Sequence, residues 1–200
     1  MLRLLEKLFI GGGLVALGWC AFVVSEAAVD QRLALDTLRN PSPPAGARRH
    51  SARTDASANI NVTPIGAPLA ELEIPRLGFT AAVLEGSDES ILRRAPGHIE
   101  HTGWPGQVGN IGIAGHRDTF FRPLRHVRIG DDILLITHQG QARYRVSSVR
   151  VVSPRDVGVL DPTSEAALTL VTCYPFSFVG PAPMRYVVHA VGIRSPSPSN

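Results

Sequence analysis

Short runs of apolar and β-branched residues recur along the second two thirds of the chain and predict β-strands. The run LAELEIP alternates apolar and polar side chains, as a strand with one buried face does. Six further runs follow, each bounded by Gly, Pro, Asp or Ser: AAVLEG, NIGIAG, DDILLIT, ARYRVSSVRVV, ALTLVTC and MRYVVHAVGI. Seven or eight short strands between residues 68 and 194 predict a mainly β domain built as a closed or nearly closed β-barrel.

Helical signals are few within this domain. The segment SDESILRR predicts a short helix that Ser87 caps, with acidic side chains in the first turn and Pro96 as its stop. The segments DTFFRPL and PRDVGVL each predict one or two helical turns. The domain is therefore expected to be β-rich, with minor helices between strands.

An uncharged apolar run of 17 residues, Leu8 to Val24, lies near the N-terminus. A helix of that length spans roughly 26 Å, enough for a bilayer core with help from the flanking residues. Arg3 and Lys7 precede the run while Glu26 and Asp30 follow it. The positive-inside rule then predicts a single-pass anchor in the cytoplasmic membrane, with the N-terminus inside and the main domain extracytoplasmic.

Cleavage of this run as a signal peptide is the alternative, because Ser25-Glu26-Ala27 loosely fits a small-x-small site. The predicted organisation is a membrane anchor and helical stalk over 1–39, a flexible Pro/Ser/Ala-rich linker over 40–67, a main β-barrel domain over 68–194 and a tail over 195–200.

Charge and metal-ligand patterns exclude two classes of function. The net charge of +3 comes from 20 basic and 17 acidic side chains that are spread along the chain, so no nucleic-acid-binding patch is expected. His98 and His101 have metal-ligand spacing but no further ligand pair nearby, which favours a loop role. The carboxylates of Asp156, Asp161 and Glu165 are scattered in one predicted loop. We therefore predict no metal and no cofactor.

Cys173 is the only cysteine outside the first twenty residues, and it ends the apolar run ALTLVTC. A lone thiol in an extracytoplasmic domain cannot form an internal disulfide and indicates pairing with another chain or reactivity. A cysteine nucleophile reacts as its thiolate, and a nearby imidazole both raises the thiolate fraction and supplies a proton to the leaving group.

His116 is the best-placed candidate for that imidazole, since it follows the strand NIGIAG at the point where the chain must turn. Three other histidines, His126, His138 and His189, are assigned no role; the first two are expected on the surface and the third within the last strand.

Arg185 begins the last predicted strand, and a Pro- and Gly-rich loop joins that strand to the one ending at Cys173. An antiparallel pair would bring Arg185 and Cys173 close together. A guanidinium beside a thiolate can stabilise the oxyanion that develops on attack of a carbonyl. Arg117 competes for this role, but it adjoins His116 and is expected to point to the opposite face.

The segments around these three residues resemble the sortases, cysteine transpeptidases that attach proteins to bacterial surfaces. TLVTC matches the Thr-Leu-x-Thr-Cys signature, while NIGIAGHRDTFFRPL and APMRYVV are similar to the histidine and arginine segments of that family. The likeness extends over residues 68–193 and is strongest to class D, with class E close. It implies a sortase-type β-barrel.

The resemblance implies a catalytic set of His116, Cys173 and Arg185. Cys173 would attack an LPxTG-like sorting signal of a surface protein and form a thioacyl intermediate, His116 would transfer protons, and Arg185 would hold the oxyanion. The acceptor would be an amine, such as that of a peptidoglycan precursor or a pilin lysine, and water would replace it when no amine is present.

Two other classes of function remain as alternatives. One is a membrane-tethered β-domain without enzymatic activity that serves adhesion or assembly, with Cys173 as a core residue. The other is a different extracytoplasmic cysteine peptidase. L,D-transpeptidases would require a Ser-His-Gly-Cys-type run and chymotrypsin-like enzymes a Gly-x-Cys-Gly run, and the sequence VTCYPF fits neither.

Overall fold

A computed structural model describes residues 2–40 and 63–193, although the side chains of several residues before 25 are outside that description. The helices are α1 (Leu2–Arg39) and α2 (Glu89–Leu92). The strands are β1 (Pro68–Ile74), β2 (Phe79–Glu85), β3 (Gly97–His98), β4 (Gly109–Ala114), β5 (Asp132–Thr137), β6 (Gly140–Val152), β7 (Ala166–Tyr174) and β8 (Met184–Ile193). Single turns of 3-10 helix occur at Pro75–Leu77, Arg122–His126 and Val157–Leu160.

The eight strands form a closed barrel in the order β1-β2-β3-β4-β7-β8-β6-β5. The pairs β2–β3 and β4–β7 are parallel, and the remaining neighbours are antiparallel. Strand β1 pairs with both β2 and β5, which closes the sheet. The predicted closed barrel is confirmed, and it has eight strands.

The alternating pattern of the strands places their apolar side chains inside the barrel. Fully buried members of this core are Leu72, Ile111, Ile133, Leu168, Leu170 and Val188. Strands β4 and β7 pair in parallel and are buried over most of their length, and most of their residues are apolar or small. The residues at the ends of these two strands are therefore held by a well-packed core.

Two details differ from the sequence-based expectation. Strand β3 was not predicted, because two residues are too few to show a periodic pattern. Helix α2 is capped by Asp88 and not by Ser87: the Asp88 carboxylate accepts hydrogen bonds from the backbone N–H groups of Ser90 and Ile91, which lower its pKa. Ser87 donates instead to the carboxylate of Glu100 at 2.7 Å.

The C-terminal part of α1 packs on the barrel. Ala34 and Leu38 are buried in a small apolar cluster with residues of β2 and α2. The side-chain amide of Gln31 accepts from the N–H of Ala82 at 2.8 Å and donates to its carbonyl at 3.1 Å. Arg39 forms an ion pair with the buried carboxylate of Glu71. The predicted stalk is thus a helix that docks on the catalytic barrel.

Within the described residues, no helix combines the length and apolar character needed to cross a membrane. Most of the predicted linker, residues 41–62, and the tail 195–200 lie outside the described residues. The domain boundaries and the transmembrane span therefore stay predictions.

Candidate active site

Parallel pairing of β4 and β7 brings His116 and Cys173 to one edge of the barrel. The register runs to Ala114 opposite Val171, and the N–H of Gly115 extends it by donating to the carbonyl of Val171 at 3.1 Å. The hydroxyl of buried Thr172 donates to the Gly115 carbonyl at 2.6 Å. Cys173 follows Thr172 in the chain, and His116 follows Gly115. This register agrees with the expectation that an imidazole lies near the cysteine.

Antiparallel pairing of β7 and β8 places Cys173 directly opposite Arg185. The thiol is free and half-buried, and Arg185 is half-buried as well. Nη1 of Arg185 donates to the carbonyls of Met184 at 3.0 Å and Ala182 at 3.3 Å. Within the described part of the chain, the Nε and Nη2 hydrogens of Arg185 have no hydrogen-bond partner. They can donate to a substrate carbonyl while Nη1 holds the side chain in place.

His116 projects from the loop after β4 and is 35% exposed. Its Nε2 lies 3.7 Å from a carboxylate oxygen of Glu89, the first residue of α2. That distance is too long for a hydrogen bond. Helix α2 thus places one acidic side chain beside the histidine.

Arg117 binds the loop that connects β7 to β8. Its guanidinium is 8% exposed and donates to the carbonyls of Pro175 at 3.1 Å, Phe178 at 2.6 Å and Gly180 at 3.0 Å. The sequence analysis considered Arg117 only as a competitor of Arg185. Its contacts show that it joins the histidine segment to the loop between Cys173 and Arg185.

The sequence of this barrel matches a known domain family. The sortase domain profile matches residues 72–192. The chain belongs to the sortase family. Sortases are cysteine transpeptidases, so the protein is an enzyme of that class. The alternatives of a non-enzymatic β-domain and of an unrelated cysteine peptidase are therefore set aside.

Individual sortases resemble the chain over most of its length. Sortase D of Bacillus subtilis is 29% identical over 193 residues, which cover 94% of this chain and 98% of that protein. Sortase SrtE1 of Streptomyces coelicolor is 33% identical over 129 residues, 55% of this chain and 37% of that protein. The structure of a Sortase D5 transpeptidase from Clostridium perfringens superposes with a TM-score of 0.62 at 31% identity, covering 68% of this chain and 84% of that one. These matches are consistent with the class D resemblance.

The remaining histidines of this sortase lie outside the edge that carries Cys173. His98 is buried, with Nδ1 at 2.8 Å from a carboxylate oxygen of Glu85 and Nε2 at 2.9 Å from the carbonyl of Gly103. His98 lies in strand β3 and not in a loop as expected, and its ring anchors the loop before β4. Among the described residues, no group of three His, Cys, Asp or Glu side chains is arranged to hold a metal ion.

His101 is exposed in the turn after β3, and three further histidines lie where they were expected. His126 and His138 are exposed. His189 lies within β8, where burial and the nearby charge of Arg150 lower its pKa, and its Nδ1 is 3.1 Å from the hydroxyl of Thr169.

A second buried polar residue fixes the loop between β6 and β7. Asn110 at the start of β4 donates from Nδ2 to the carbonyls of Val159 at 3.1 Å and Asp161 at 3.2 Å. Its Oδ1 accepts from the hydroxyl of Thr169 at 2.8 Å. Asn110 of β4 therefore holds the β6–β7 loop, and Arg117, which follows β4, holds the β7–β8 loop.

Proposed function

We propose that Cys173 is the nucleophile, His116 the general acid and base, and Arg185 the oxyanion donor of this sortase. The observation that carries the proposal is the strand register, which pairs Cys173 with Arg185, together with the hydrogen bond that ties Gly115, the residue before His116, to Thr172, the residue before Cys173. Nucleophile, proton carrier and hydrogen-bond donor are then contributed by three neighbouring strands or their ends.

The reaction follows from these positions. The Cys173 thiolate attacks the carbonyl carbon of the Thr–Gly-type bond in an LPxTG-like signal, and the negative charge moves to the carbonyl oxygen. Arg185 donates hydrogen bonds to that oxygen, where they are stronger than in the ground state. The intermediate collapses as His116 protonates the leaving amine, which leaves a thioester on Cys173.

The second half of the reaction reverses the proton transfer. An amine acceptor attacks the thioester carbonyl and loses its proton to His116, and the thiolate leaves as the new amide forms. Water takes the place of the amine when no acceptor is present, which gives hydrolysis. We propose a surface protein with an LPxTG-like C-terminal signal as substrate, and an amine of a peptidoglycan precursor or a pilin lysine as acceptor.

The first prediction tests the nucleophile. Cys173→Ala removes one sulfur atom, so we expect it to abolish cleavage of a fluorogenic sorting peptide without lowering the melting temperature. Mass spectrometry of the wild type with substrate should find an acyl adduct on Cys173. His116→Ala should lose roughly 10²–10⁴-fold in rate, as general acid–base catalysts do. Full activity in Cys173→Ala, or an adduct elsewhere, contradicts the assignment.

We also propose that the apolar run Leu8–Val24 anchors the protein in the cytoplasmic membrane, with its N-terminus inside. The uncharged run, its place within α1 and the basic residues before it support this topology. Sortases are in general membrane-associated surface enzymes, which agrees with an extracytoplasmic catalytic domain.

The second prediction tests this topology. A membrane-impermeant thiol reagent applied to intact cells, or to spheroplasts if an outer membrane is present, should label Cys173. A Cys20→Ala background restricts the label to that one thiol. Labelling only after lysis would show the opposite orientation. A mature N-terminus at Ala28 would show cleavage instead of anchoring.

A further inference from the structure

Arg117 is a buried cation that the proposed chemistry does not use. It follows His116 directly, yet its side chain is only 8% exposed. Its charged neighbour is the exposed carboxylate of Asp118, at 3.4 Å from Nε. Burying a guanidinium is unfavourable unless its hydrogen-bond donors are satisfied. The groups that satisfy them therefore indicate what the residue does.

Those groups are backbone carbonyls on both arms of the β7–β8 loop, residues 175–183. Nη1 donates to Pro175 and Nη2 donates to Phe178 and Gly180. The Arg117 Cζ also lies 5.9 Å from the ring centre of Phe178, within range of a cation–π contact. The planar fork of arginine can bridge separate carbonyls in a way that a single ammonium cannot.

This loop has few other hydrogen bonds, although Phe176 within it packs against the barrel core and against the ring of Tyr186. The further hydrogen bonds that the described residues make within it or to it are Phe178 N–H to the Pro175 carbonyl and Arg185 Nη1 to the Ala182 carbonyl, both at 3.3 Å. Residues 177–181 are exposed. Arg117 supplies three of these five hydrogen bonds, so it is the main polar anchor of the loop.

The loop is continuous with two proposed catalytic positions. Pro175 comes two residues after Cys173, and the loop ends just before the strand that carries Arg185. Arg117 is itself bonded to His116 along the chain. The three hydrogen bonds thus join the histidine segment to the hairpin that presents the cysteine and the arginine.

We propose that Arg117 is a positioning residue, which holds the β7–β8 loop against the histidine segment and so fixes Cys173 and Arg185 relative to His116. The proposal rests on the proposed function, since it concerns the alignment of those three residues. Arg117 does not touch the reacting atoms; it acts through the loop. Small misplacements of reacting groups lower rates by as much as roughly 10²-fold.

The test compares Arg117→Gln and Arg117→Lys with two control variants. Arg122→Gln changes an exposed arginine whose side chain forms no hydrogen bond or ion pair with other described residues. Arg76→Gln removes a different arginine clamp, which binds Asp131 and the carbonyl of His126. Arg76 follows β1, which is four strands away from β7 around the barrel. The Arg76→Gln variant therefore controls for a general loss of stability.

Five quantities are measured on each full-length variant: kcat and KM for a fluorogenic sorting peptide, the alkylation rate of Cys173 in the Cys20→Ala background, amide exchange in the loop, and the melting temperature. For Arg117→Gln we expect kcat/KM to fall by roughly 10²-fold. The alkylation rate of the Cys173 thiol should change, and the rate of amide hydrogen exchange should rise in residues 175–183. Arg117→Lys should recover only a small part, because one ammonium cannot bond both arms of the loop.

The controls separate positioning from stability. Arg76→Gln should lower the melting temperature while leaving Cys173 alkylation and loop exchange unchanged, and Arg122→Gln should match the wild type. The proposal is overturned if Arg117→Gln keeps kcat/KM within twofold of the wild type. It is equally overturned if Arg117→Gln and Arg76→Gln lose the same activity for the same fall in melting temperature, because the loss is then explained by stability alone.

The wild-type acyl adduct distinguishes this failure from failure of the proposed function. If the wild type forms an adduct on Cys173 and Arg117→Gln keeps kcat/KM within twofold of the wild type, only the positioning role is overturned. Absence of any adduct on Cys173 overturns the catalytic assignment, and the positioning role with it.

Discussion

Gly115, the residue before the proposed catalytic histidine, has no room for a side chain. A Cβ at this position would lie 2.7 Å from Cδ2 of Phe121, and Phe121 is fully buried in the barrel core. The Gly115 carbonyl also accepts the hydroxyl of Thr172. A larger residue would push the loop off the Phe121 ring and break that bond, so the glycine holds His116 near the end of β7.

Arg185 provides the prediction at the residue scale. If it donates to the substrate carbonyl, Arg185→Ala should lower turnover by roughly 10²–10³-fold, the loss typical of one oxyanion donor. Arg185→Lys should recover part of this, since an ammonium reproduces the charge but not the planar fork. Turnover of a fluorogenic peptide and melting temperature are measured together, with exposed Arg122→Ala as control. Near-normal turnover in Arg185→Ala, or a loss explained by unfolding, argues against the role.

At the scale of elements, strands with a clear apolar pattern are predictable and loops held by buried polar residues are not. All seven runs identified in the sequence became strands, because alternation reports directly on burial of one face. Arg117 and Asn110 gave no such signal, since their partners are backbone carbonyls, which every residue carries. The Cys173–Arg185 pairing was predictable because a single short loop joins the two strands.

Asn110 provides the prediction at this scale. Asn110→Ala leaves the carbonyls of Val159 and Asp161 without their donor, so we expect a loss of about 1–3 kcal/mol in the free energy of unfolding. Amide exchange should rise in the β6–β7 loop over residues 153–165. Thr169→Val is the matched variant, because it removes only the hydroxyl that donates to the Asn110 oxygen. Unchanged stability and unchanged loop exchange in Asn110→Ala would show that the loop is fixed by other contacts.

At the scale of the whole molecule, α1 covers an edge of the barrel that the strands leave open. Strand β2 has only the two-residue β3 as its outer neighbour, so part of its backbone lacks a strand partner there. The Gln31 side chain bonds both the N–H and the carbonyl of Ala82, as a neighbouring strand would. Unpaired sheet edges are unfavourable when buried and prone to association when exposed. The docked helix therefore completes the fold of the catalytic domain.

An ion pair between Arg76 and Asp131 joins the turn after β1 to the residue before β5, on the side of the barrel opposite β7. Asp131 is 7% exposed and accepts from the Arg76 guanidinium and from the N–H of Arg128 at 2.8 Å. The hydrogen bonds from Arg76 lower the pKa of the Asp131 carboxyl more than burial raises it. The folded protein therefore holds this carboxylate ionised at a pH where the unfolded chain already binds a proton.

That difference predicts how stability depends on pH. The contribution of Asp131 is complete above the unfolded pKa of about 3.9 and is lost as the pH falls through the lower folded value. Asp131→Asn should lower the melting temperature at pH 7 by roughly 2–4 °C, the shift for about 1 kcal/mol in a chain of this size. We expect no more, because the Arg76 side chain is 40% exposed and solvent screens the pair.

The measurement is the melting temperature as a function of pH, from pH 7 to pH 2.5. The melting temperatures of the wild type and Asp131→Asn should converge as the pH falls. The control Asp156→Asn, at an exposed carboxylate, should show a pH profile parallel to that of the wild type. Curves for Asp131→Asn that remain parallel to the wild type throughout would show that Arg76 does not stabilise the ionised form.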